Sequence, residues 1–283
     1  MKAVKLLSTT NCLKSFYRCR AAEPARAIQA VVKVKPPAVD VQDVSRHSNL
    51  SENWWDTNGS LRGLHALNRL RVQFIRDGLA NVGHEEASPS LPLEGISIVD
   101  VGCGGGILTE PLARIGAEVI GVDPSSELIK TAKRHAALDS SLSKRLHYIQ
   151  TTVEDLTRTS QKQFDAVVTS EVLEHVPDKE TFLKYCTDLV KPGGSIFITT
   201  INKTIPSWLG GIITAEYLLK IVPAGTHDWN KFIAPKETRR LLERYNCRTK
   251  LIHGMMYNPI KNEWHWTSFT GINYAIHAIK RGE

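Results

Sequence analysis

From residue 96 onward, short apolar runs alternate with stretches of helical period. ISIVDV (96–101), EVIGV (118–122), LHYIQ (146–150), FDAVVT (164–169) and SIFITT (195–200) read as strands, followed by two more at about 249–256 and 271–279. Apolar residues at helical spacing predict helices over 106–115, 125–138, 179–190 and 235–245. Strands this apolar, separated by helices, bury both faces. They predict an α/β, Rossmann-like fold with a seven-stranded, mostly parallel sheet, an antiparallel last strand and helices on both sides. Ligands of such sheets bind beyond the carboxyl ends of the strands, which directs attention to the loops after 101, 122, 150, 169 and 200. Upstream, Leu64, Leu67, Leu70, Phe74 and Ile75 predict helix within an N-terminal helical lid at 50–80, and the loop GHEEASPSLPLEG separates it from the first strand. The run NEWHWTSF near 262–269 reads as a loop before the last strand.

Charge changes the picture at one end only. The chain of 283 residues carries a formal +7, yet eight of its 36 Lys and Arg lie in residues 1–35 against the single acid Glu23. The remainder holds 28 basic and 28 acidic side chains, so its balance does not suggest a nucleic-acid partner. Residues 1–35, with spaced basic side chains, Ser, Thr and Ala but no secretory apolar core, read as a mitochondrial transit peptide, and 36–49 as a flexible joint. The folded body follows at 50–283. Five cysteines, odd in number and far apart in the body, indicate neither a disulfide framework nor a zinc site. No stretch approaches the roughly 20 apolar residues that span a bilayer.

Candidate chemistry begins at IVDVGCGGGILTE. Gly102 and Gly104 open as a dinucleotide fingerprint would, but Ile107 stands where the third glycine belongs. Asp100 precedes the turn, Asp123 ends the next strand where ribose hydroxyls would be met, and Glu154 and Asp155 follow the third strand near an adenine position. A pocket so rich in carboxylates, with no Lys or Arg in its glycine loop, suits a cationic nucleoside. The plainer reading makes the glycines a strand-to-helix turn and Asp123 a helix cap. In SEVLEHVPD, a helix starting at 171 would put Glu171, Glu174 and His175 on one face. Two carboxylates and an imidazole suit Mg²⁺, and also Mn²⁺, Zn²⁺ or Fe²⁺. Helix capping with a satisfied histidine remains the alternative.

In order, VDVGCGGG, GVDPS, VEDL, SEVLEHV and VKPGG resemble the motifs of class I S-adenosylmethionine-dependent methyltransferases. NWWDTNGSLRGLHALNRLR, TINKTIPSW, AEYLLKIVPAGTHDWNKF, GMMYNP and NYAIHAIK are similar to the O-methyltransferase family of ubiquinone biosynthesis, mitochondrial and bacterial, over about 50–280. The resemblance implies S-adenosylmethionine held through Arg71, Gly102, Asp123 and Ser170, and Mg²⁺ held through Glu171, Glu174 and His175. It implies methylation of catechol-type hydroxyls on polyprenylated dihydroxybenzoates and demethylubiquinols. It also implies peripheral attachment to the matrix side of the mitochondrial inner membrane, in association with other enzymes of the pathway. A protein base is not identified; His175, His227 and Lys231 are candidates. Competing readings are a metal-independent O-methyltransferase and a weakly catalytic scaffold subunit. Residues 203–233 carry an apolar stripe that suits a lid over the core or a membrane-facing gate. Trp54 and Trp55 suit packing or aromatic substrate contact.

Overall fold

The computed structural model describes residues 40–160, 162–204 and 231–282. Its strands are β1 Ser97–Val101, β2 Glu118–Asp123, β3 Leu146–Gln150, β4 Phe164–Ser170, β5 Val190–Ile201, β6 Cys247–Asn258, β7 Glu263–Thr267 and β8 Asn273–Lys280. They form one sheet in the order β3-β2-β1-β4-β5-β8-β6-β7. The first five run parallel, while β8 is antiparallel to both β5 and β6. The carboxyl ends of β1 to β6 and the amino ends of β7 and β8 therefore share one edge of the sheet.

The helices are α1 Val41–Ser48, α2 Arg62–Ala80, α3 Thr109–Arg114, α4 Ser126–Ala136, α5 Val153–Thr159, α6 Lys179–Asp188 and α7 Pro235–Arg244. One face of the sheet packs Leu67, Phe74 and Ile75 of α2 with Leu112 and Ile129 of α3 and α4. The other packs Leu156, Leu183, Cys186 and Leu242 of α5, α6 and α7. Each such side chain stabilises the fold by about 1.5–3 kcal/mol relative to exposure. Side-chain caps set three of the starts: Ser125 accepts from Leu128 N, Thr152 from Asp155 N, and Asp178 from Thr181 N.

Four expectations change. The sheet has eight strands, because EWHWT is strand β7 and not a loop: Trp264 and Trp266 are half-buried while Glu263 and His265 face solvent, a period of two. The joint expected over 36–49 is helical at Val41–Ser48, where Ser48 Oγ lies 2.7 Å from Ser125 Oγ at the cap of α4. The first helix after the glycine loop starts at Thr109, not 106, since Gly106 holds a φ of 93° that a helix cannot use. No α-helix begins at 171: Leu173–His175 is a single 3₁₀ turn, and α6 starts beyond Pro177. The transit peptide at 1–35 and most of the insert at 203–233, residues 205–230, lie outside the described residues.

Where α2 crosses the sheet, Gly78 lets the helix approach: a Cβ there would stand 2.4 Å from Phe197 and 3.3 Å from His277. His277 is stacked on Phe197 at 4.4 Å and lies 3.0 Å from Ser195 Oγ. Burial, with Lys250 adding repulsion, lowers its pKa from 6.5 to about 4. Between those values the unfolded chain binds a proton that the folded chain refuses, so stability falls as pH drops from 6.5 toward 4. Denaturant unfolding at pH 7 and pH 4.5 is expected to show a loss of about 2 to 3 kcal/mol in the unaltered protein beyond that in His277→Gln.

Candidate active site

At the carboxyl edge of the sheet lies a cavity of about 540 Å³. Its charged half begins where the glycine loop leaves β1. Gly102 and Gly104 have φ of 76° and 55°, which turn the chain sharply enough for Gly104 N to reach Asp123 Oδ2 at 3.0 Å. Asp123 Oδ1 accepts from Ser125 N at 2.8 Å. A carboxylate has about four lone-pair sites, so Asp123 retains acceptor capacity toward the cavity it lines. Burial raises its pKa, and the amides of Ser125 and Gly104 oppose that rise. Asp100, 2% exposed, accepts from Thr109 Oγ1 at 2.7 Å, and burial pushes it up to about 6.

Opposite these acids stands Arg71 of α2, 3% exposed. It donates to Ser170 Oγ at 2.9 Å, Asn68 Oδ1 at 2.9 Å and Leu64 O at 3.1 Å. Burial lowers its pKa to about 10, while Glu171 and Asp100 support the charge. An arginine on an amphipathic helix would ordinarily be solvated; here it is buried in the wall of the cavity.

The acidic motif enters the cavity without the helix expected for it. Glu171 directly follows β4 with a φ of 57°, a conformation that costs a side-chain-bearing residue about 1 to 3 kcal/mol and persists where the surroundings hold it. Its Oε1 accepts from Thr199 at 2.7 Å, and Glu174 Oε2 accepts from Thr200 at 2.7 Å. Glu174 is 2% exposed; burial first, and the charge of Glu171 second, push it up to about 8. His175 lines the same cavity with its ring edge-on to His47 of α1 at 4.7 Å.

The cavity thus brings together Arg71, Asp100, Gly102, Gly104, Asp123, Ser170, Glu171, Glu174 and His175. Glu154 and Asp155 stand outside it: the wall there is Thr151, Thr152 and Val153, while Asp155 bonds its own cap and pairs with Arg158 at 3.6 Å. Lys231 is not part of the lining; it forms an ion pair with Asp40 at 2.6 Å. His227 lies outside the described residues. His47 escaped the sequence reading because it sits in the segment taken for a joint.

The two tryptophans divide their work. Trp54 is 5% exposed, lies across Gly104 and Gly105, and lines the cavity; its buried indole N–H has no hydrogen-bond partner among the described residues. Trp55 turns outward, donates to Gly105 O at 3.0 Å and stacks on His135 at 3.4 Å. Beyond β5 the lining changes character. From β1 to β7 the sheet advances five strands, about 24 Å at the usual spacing. From the end of β5 onward the cavity is walled by Ile201, Ile272, Met256, Tyr257 and Trp264, with Asn273 as a polar exception.

A family model described as a methyltransferase domain matches residues 99–198. The chain is 46% identical over 242 residues to the mitochondrial ubiquinone biosynthesis O-methyltransferase of Rattus norvegicus, covering 86% of this chain and 70% of that one. It is 41% identical over 251 residues to the ubiquinone biosynthesis O-methyltransferase of Methylocella silvestris, covering 87% and 96%. Against mitochondrial relatives it spans 65% to 75% of their length. A solved magnesium protoporphyrin IX methyltransferase from Synechocystis PCC 6803 with bound SAM shares the fold at a TM-score of 0.56 and 15% identity, over 88% of this chain and 100% of that one.

Proposed function

Because the chain belongs to the ubiquinone biosynthesis O-methyltransferase family of class I S-adenosylmethionine-dependent methyltransferases, we propose that it methylates a catechol-type hydroxyl of a polyprenylated dihydroxybenzoate or demethylubiquinol. The observation that carries this reading is one continuous cavity that joins a carboxylate at the end of β2, an acidic pair after β4 of which Glu174 is buried and Glu171 half-buried, and an apolar reach beyond β5.

S-adenosylmethionine would supply a methyl group from a sulfonium cation. In this reading the spare lone pairs of Asp123 accept the ribose hydroxyls, and Arg71 with Ser170 meets the carboxylate of the methionine portion. Asp100 and Asp123 keep the surrounding potential favourable to a cation. The acceptor ring lies against Glu171, Glu174 and His175, and its tail occupies the apolar reach walled by Met256, Tyr257 and Trp264.

The residues after β4 fit a divalent ion by their chemistry: two carboxylates beside an imidazole, one of them pushed toward neutrality by burial and by the other's charge. Such an ion, when bound, lowers the proton affinity of a phenol whose ordinary pKa is about 10. Glu171, Glu174 and His175 would hold it. A metal-independent reading is favoured by a different observation, that among the described residues no three His, Cys, Asp or Glu side chains are already drawn together as a ligand set. His175 is the cavity's candidate base, and a nitrogen given to a cation is not available for that role.

Residues 1–35, basic and nearly free of acids, together with the names of the mitochondrial relatives, support a mitochondrial address. No helix among the described residues is long and apolar enough to cross a membrane. Peripheral contact with the inner membrane from the matrix side, beside other enzymes of the pathway, follows from the bilayer location of a prenylated acceptor.

Two measurements test this reading. Calorimetry with S-adenosylhomocysteine is expected to show Asp123→Ala weakened by about tenfold or more, while Glu171→Ala retains its affinity and loses turnover by on the order of a hundredfold. Equal losses of cofactor affinity would remove the proposed division of labour. Turnover of a prenylated catechol should vanish on treatment with a chelator and return with added Mg²⁺; undiminished turnover would instead establish the metal-independent reading.

A further inference from the structure

Arg71, Ser170, Thr199 and Glu171 form a chain of hydrogen bonds with one direction. The order of donors follows from what each group can give. A guanidinium has no acceptor, and Arg71 at about 10 is charged at neutral pH, so its Nη1 donates to Ser170 Oγ. Thr199 has a single hydroxyl proton and directs it to Glu171 Oε1 at 2.7 Å. Only lone pairs remain on its oxygen, so in the 2.7 Å contact between the two hydroxyls Ser170 is the donor. Each hydroxyl accepts from the side of the cation and donates toward the carboxylate, an arrangement in which successive bonds polarise one another.

The backbone reinforces the chain. Thr199 pairs with Ser170 in the register of β4 and β5, and Glu171 N donates to Thr199 O at 2.8 Å. Main chain and side chain of one residue therefore fix both ends of Glu171, which holds its left-handed φ beside them. Thr199 is 3% exposed and its neighbour Thr200, which serves Glu174, is fully buried. Removing the Thr200 hydroxyl would take a hydrogen bond from the buried Glu174, a loss of about 1 to 3 kcal/mol, and removing that of Thr199 would take one from the half-buried Glu171.

We propose that Thr199 is a positioning residue of the methyl transfer: through Ser170 it ties Glu171 to the guanidinium on the cofactor side, so the orientation of the Glu171 carboxylate that meets the acceptor is set by the wall that receives the cofactor. Thr199 touches neither reactant in this scheme; it acts through Glu171. The inference rests on the proposed role of Glu171 at the acceptor.

The test compares Thr199→Val, which keeps the shape and removes the hydroxyl, with Thr199→Ser, which keeps the hydroxyl, and with Glu171→Ala. The readouts are turnover of a prenylated catechol at saturating S-adenosylmethionine and calorimetric affinity for S-adenosylhomocysteine. Thr199→Val is expected to lower kcat by about 10- to 100-fold with cofactor affinity within about twofold, and Thr199→Ser to restore most of the loss. Added to Glu171→Ala, the valine substitution should cost nothing further. Thr199→Ala replaces the valine variant if that chain is not recovered folded. Full turnover by Thr199→Val beside an inactive Glu171→Ala would overturn the chain alone, as would parallel losses of cofactor affinity and turnover, or a serine variant as poor as the valine. Normal turnover by Glu171→Ala would remove the acceptor role of Glu171 and this inference with it.

Discussion

Negative charge buried at one edge of a sheet is the constraint on which this protein depends. Asp100, Asp123 and Glu174 are each no more than 8% exposed, all line one cavity, and burial raises the pKa of every one. Among the described residues, Arg71 is the one arginine or lysine buried in that wall. Carboxylates moved out of water favour either protonation or a cation close by. Asp100 and Glu174, at about 6 and about 8, stand near that choice at neutral pH. A sulfonium is a cation of the kind that would resolve it, which is why an electrostatic argument and the family assignment both lead to S-adenosylmethionine; the divalent ion proposed for the acidic pair would act in the same sense.

The topology makes such crowding feasible. Parallel strands deliver their carboxyl ends to one edge, so Asp123, Ser170 and Thr199 approach one another although far apart in sequence. Their partners are arranged in layers. Backbone amides of the glycine loop and the α4 cap occupy Asp123. Hydroxyls of β5 hold the two glutamates. The N-terminal segment closes the outside, with Trp54 across the glycine loop and Trp55 fastened to Gly105 O and His135. The apolar end of the cavity comes from strands that follow β5, so one edge carries a gradient from charge to grease.

Much of this was legible because it is local. The glycine cluster, the acid ending β2 and the apolar strands are written in contiguous residues, and the structure gathers Asp100, Gly102, Gly104 and Asp123 around one space. The acidic motif was legible in composition but not in geometry, since Pro177 and the positive φ of Glu171 replace the expected helix with a single tight turn. Glu154 and Asp155 looked like ligand groups because acids after β3 fit a nucleoside, yet T-x-x-D is also a helix cap, and the cap won. His47, Thr199 and Thr200 gave no signal: their roles exist only through residues brought near by the sheet and by α1. Arg71 and Ser170 came from family resemblance, and their hydrogen bond to one another, across 99 positions, is a fact of tertiary structure.

The balance of charge is tested most directly by titrating the protein, loaded with S-adenosylhomocysteine, with Mn²⁺ while following the free ion by electron paramagnetic resonance. A single bound ion is expected, lost in Glu174→Gln and kept in Asp123→Asn. Absence of bound Mn²⁺ in the unaltered protein, or binding that Glu174→Gln leaves intact, would contradict the assignment of a cation to the acidic pair.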